Sequence, residues 1–150
     1  MSEYDPKTGK LRPTWKVRFT PWQALLGSVI AGVVCGIVLV LTFVTGPDFE
    51  DLAGPASVAQ GSAIVVGASV VVFALLGPTL AWGLGFTMRN VENQYLHVMA
   101  FAALGAFVGF SLGNAAGGWL GFGGLGMVLA PAAGMGAAVG RWVLSPYSRV

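Results

Sequence analysis

Four long apolar stretches, separated by short polar or glycine-rich breaks, set the pattern of this chain. The first runs from Pro21 to Val44, and after Gln23 it holds no ionisable group except the thiol of Cys35. At 1.5 Å per residue it reaches roughly 30 Å, the thickness of a bilayer's hydrocarbon core. Thr20 is a good N-cap, and Pro21 suits the first helical turn, where its missing N–H is no loss. The second run, from about Val58 to Met88, is longer than a bilayer needs and predicts tilt, kinking or protrusion. Its Pro78 removes a backbone donor and predicts a bend near Ala74–Gly77. The pattern divides the chain into an arm (1–20), a first span (21–45), an outer loop (46–57), a second span (58–88), an inner loop (89–94), a third span (95–117), an outer turn (118–121), a fourth span (122–144) and a tail (145–150). We expect an all-α integral membrane protein of four transmembrane helices.

Small residues recur every fourth position within these spans. Ser28, Gly32 and Gly36 share a face of the first, and Gly77, Ala81 and Gly85 a face of the second. Gly105, Gly109, Gly113 and Gly117 line the third. The fourth has Gly126, Ala130, Gly134 and Ala138 on one row, and Ala132, Gly136 and Gly140 on another. Lipid tails give helices little hydrophobic reason to associate, so close backbone approach carries more of the attraction, and small residues permit it. Two rows on one helix exceed what a single neighbour requires. We therefore expect some stripes to meet helices of other chains, or lipids and rigid cofactors held between chains.

The polar segments set an orientation. Basic residues number five in the arm (Lys7, Lys10, Arg12, Lys16, Arg18), one in the inner loop (Arg89) and two near the C-terminus (Arg141, Arg149). With four spans these regions share one side, and the positive-inside rule makes that side, and both termini, cytoplasmic. Trp15, Trp22, Trp82 and Trp142 fall near the inner surface and Trp119 near the outer one. We read the first helix as retained, because its apolar run is about twice a signal-peptide core and ends well before Ser57-Val58-Ala59. Within the arm, Trp15, Val17 and Phe19 alternate with Lys16, Arg18 and Thr20, an extended segment able to lie on headgroups or on a partner. The outer loop carries Asp48, Glu50 and Asp51 and reads as a solvated acidic loop, with docking of a basic partner as the alternative; three carboxylates make an incomplete cation site.

Composition narrows the function. Of 150 residues, 55% are hydrophobic and only 9% charged, against the roughly 25% charged of a soluble domain. A net charge of +2 does not point to nucleic acid. Membrane enzymes and carriers normally place ionisable residues at depth, and these spans have no Asp, Glu, Lys or Arg before Arg141. One histidine, His97, cannot build a bis-histidine haem site or a metal cluster. It lies near Glu92 at the inner end of the third span, where it bonds headgroups or loop backbone, or else serves as a general acid or base. Ser28, Ser62, Ser69 and Ser111 are expected to back-bond to the preceding helical turn, and Asn114 to bond across to a neighbouring helix. We thus assign no catalytic, cofactor-binding or metal-binding residue to the chain.

The basic Trp-containing arm, four Gly/Ala/Val-rich spans, short loops and missing redox ligands resemble small accessory subunits of bacterial respiratory complexes, especially those of the actinobacterial cytochrome oxidase supercomplex. The resemblance implies a plasma-membrane protein that stabilises or bridges catalytic subunits of an electron-transport assembly without itself binding haem or copper. We expect a non-catalytic accessory subunit or assembly factor, with other membrane subunits, structural lipids and anionic headgroups as partners. A small oligomeric channel or permease is the alternative, and an interfacial enzyme or lipid-handling protein using His97 and Glu92 the third reading.

Overall fold

The computed structural model describes residues 20–44, 55–88, 91, 94–121 and 123–144. These form four α-helices: α1 Pro21–Val44, α2 Pro55–Thr87, α3 Gln94–Leu120 and α4 Leu125–Leu144. All four are long and apolar enough to cross a membrane, which is compatible with a multi-pass membrane protein. At its N-terminus α1 is closed by a capping box. The Gln23 N–H donates to Thr20 Oγ1 (3.3 Å) while the Thr20 N–H donates to Gln23 Oε1 (3.2 Å).

The sequence boundaries shift in two places. α2 begins at Pro55, three residues before the expected span, because proline fits a first turn. α3 continues through Gly117 and Gly118 to Leu120, rather than stopping at 117. The turn falls instead where the backbone enters the left-handed region, at Gly121 (φ 74°) and Gly124 (φ 85°). That places the start of α4 at Leu125 rather than 122. α2 remains one helix of 33 residues through Pro78.

Antiparallel neighbours follow from which residues meet. Gly32 faces Val70 and Gly36 faces Val66, joining α1 to α2. Gly105, Gly109 and Gly113 meet Ala133, Leu129 and Gly126, joining α3 to α4. Gly140 meets Gly27 and Gly136 meets Ala31, joining α4 to α1. The lateral order is therefore α2–α1–α4–α3, and α2 touches α3 only marginally. The bundle is not closed. The start of α1, the end of α2, the start of α3 and the end of α4 lie together at one end, called here the Arg141 end.

The interior is built from small residues: Ala24, Ala31, Cys35, Ala81, Ala132 and Ala133 are buried, with Leu39 and Leu144 among the few larger ones. Large side chains point outward, as Leu75 (71% exposed), Phe107 (69%) and Met127 (75%) do. In water this distribution would be costly; in a bilayer the solvent is itself apolar.

Candidate functional site

The gap between α2 and α3 is a groove of about 600 Å³, floored by α1 and α4. Its α2 wall is the row Val65, Ala68, Val72, Leu76 and Leu80; its α3 wall is Phe101, Leu104, Val108, Leu112 and Ala116. Both rows recur every third or fourth residue, the spacing that puts side chains on one face of a helix. On α1 the lining runs from Ala24 to Leu39, about 22 Å of helix, and on α4 from Leu125 to Leu144, with Arg141 one turn before that end. The polar hydroxyls that reach it are satisfied within their own helices: Ser28 donates to the Ala24 carbonyl (2.8 Å) and Ser69 to that of Val65 (2.9 Å). Ser111, outside the groove, likewise donates to Phe107 (2.9 Å).

Arg141 lines the groove at one end and is only 5% exposed. It is the only Lys, Arg, Asp or Glu among the described residues. The sequence reading used it as an orientation marker alone. Its place between Gly140 and Trp142 in an apolar run was the available signal, but only the packing of Gly140 on α1 turns it toward the groove rather than outward with Trp142.

His97 is 3% exposed at the start of α3 and is not part of the groove. Its Nε2–H donates to the Val91 carbonyl (2.9 Å), the loop-backbone role anticipated for it. Since a carbonyl can only accept, Nε2 carries a hydrogen in this bond. Nδ1 is buried without a hydrogen-bond partner among the described residues. The ring ties the α2–α3 connection to α3; Glu92, its suggested companion, lies outside the described residues.

The expected partner-binding residues Trp15, Lys16, Val17, Arg18, Phe19, Asp48, Glu50 and Asp51 also lie outside them. The small-residue rows can be followed further. A Cβ added at Gly32 would come 2.7 Å from Val70 Cα, and one at Gly36 would come 2.7 Å from Val66 Cα. Ser28 presses on Gly77, and Ala81 is buried on the same row. A Cβ at Gly109 would come 2.6 Å from the Leu129 carbonyl. On α4, Gly126 and Gly134 face α3, whereas Gly136 and Gly140 face α1. Both rows of α4 therefore have neighbours within the chain, since α4 sits between α1 and α3. Gly61, Gly67 and Gly83, all on α2, have open space instead. Asn114 lies against Gly126 but makes no hydrogen bond across to α4 among the described residues.

Among the described residues no group of three or more His, Cys, Asp or Glu is placed to hold a metal. Comparison with known proteins gives no match: no family model, curated protein or solved structure is similar to this chain.

Proposed function

We propose that this chain is a non-catalytic accessory subunit or assembly factor of a larger membrane complex, in the plasma membrane with both termini cytoplasmic. One observation carries the reading. α2 packs almost entirely on α1, and away from it presents Val71, Leu75, Trp82 and Phe86 together with the open glycines Gly61, Gly67 and Gly83. A helix of 33 residues held along one side is suited to receive a helix of another subunit, with glycines where backbones would approach. The orientation is supported by the basic residues, Arg141 among them, while Trp22, Trp82 and Trp142 at the Arg141 end and Trp119 at the other mark the two interfaces. The sequence resemblance makes a respiratory complex the first place to look.

Extraction in mild detergent followed by native electrophoresis and mass spectrometry tests this reading. Co-migration with a haem-containing assembly is the expected result. A pure homo-oligomer that conducts ions in liposomes would replace it with the channel alternative.

A further inference from the structure

We propose that the groove between α2 and α3 is a binding site for one anionic phospholipid, an acyl chain lying along the groove and the phosphate meeting Arg141. The proposal stands independently of the accessory-subunit reading, since it concerns a face different from the outer side of α2.

Lining and length suit one class of occupant. The groove runs along some 22 Å of α1, long enough for a slender, flexible chain. Its walls are aliphatic and aromatic side chains, and the hydroxyls of Ser28 and Ser69 are already directed into their own helices. An acyl chain needs nothing more, since each methylene gains from apolar burial and asks for no hydrogen bond.

Charge selects the headgroup. Arg141 marks one end of the lining with a positive guanidinium, whose fork of donors matches phosphate oxygens in pairs. Depth agrees with this. Trp22, Trp82 and Trp142 are exposed at the same end, and indole rings settle at headgroup level. A phosphate at Arg141 is therefore at the depth where a lipid carries it, and the chain below it points into the groove. A zwitterionic lipid offers the same phosphate with a compensating cation, so its gain at Arg141 is smaller.

The test uses the full chain in mild detergent, exchanged into phosphatidylglycerol and phosphatidylcholine of identical acyl chains and read by native mass spectrometry. One phosphatidylglycerol per chain is expected, preferred by about tenfold, the worth of one charge-assisted hydrogen bond. Arg141→Gln should remove the preference and Arg141→Lys retain most of it. Ala68→Trp, filling the groove from an exposed position on its α2 wall, should lose both lipids. In the unmodified protein, phosphatidylglycerol with a photoreactive acyl chain should label Val72 or Val108 rather than the outward-facing Leu75 and Phe107, which decides the matter even if Arg141→Gln fails to fold. Equal retention of both lipids, labelling spread evenly over Leu75 and Phe107, or a protein helix cross-linked to Val72 and Val108 would each overturn the proposal.

Discussion

At the scale of single residues, glycine is the structural material of this protein, and its positions differ sharply in what they tolerate. At Gly109 a methyl group would meet the Leu129 carbonyl and the Ala133 side chain at 2.6 and 2.7 Å, so α3 and α4 must separate to admit it. Gly109→Ala should therefore lower stability by about 1–3 kcal/mol, the usual cost of overpacking. Gly67 on α2 has nothing within 4 Å. Gly67→Ala should leave stability unchanged or raise it by up to about 1 kcal/mol through helix propensity. Unfolding both variants by SDS titration in mixed micelles, followed by helical circular dichroism, distinguishes them; equal effects would mean that the α3–α4 contact is wrongly drawn. His97 offers a second contrast. His97→Phe keeps most of the volume but loses the bond to Val91, and should cost about 1 kcal/mol in the same assay.

At the scale of elements, the ends of helices were less legible than their middles. The cap at Thr20 could be read directly, because a T-x-x-Q sequence puts both partners of the capping box within one turn. Thr20→Ala should cost about 1 kcal/mol, visible as faster amide exchange in the first turn of α1 while exchange in α4 is unchanged. The end of α3 was read too early, because glycine pairs signal a stop in water-exposed chains. Gly117 is buried, and the helix proceeds until a positive φ is needed at Gly121. Pro78 illustrates the same tolerance: α2 continues through it without interruption.

At the scale of the whole molecule, orientation remains testable with the described turns. Gly123→Cys, in the α3–α4 turn and outside the left-handed region, should react with an impermeant maleimide in intact cells. Met88→Cys, at the end of α2, should react only after permeabilisation. The reverse pattern would invert the assigned topology.

The number of long apolar helices, their approximate limits and the cap at Thr20 were determined by the sequence alone, because hydrophobic length and capping chemistry are local properties. The rotation of each helix was not. Small residues lie on several faces of α4, and nothing in one dimension says that Gly126 and Gly134 turn to α3 while Gly136 and Gly140 turn to α1. That choice sets the order α2–α1–α4–α3, leaves the groove open and brings Arg141 to its edge. Only the tertiary structure decides it, since the energy resides in backbone contacts between residues far apart in the chain.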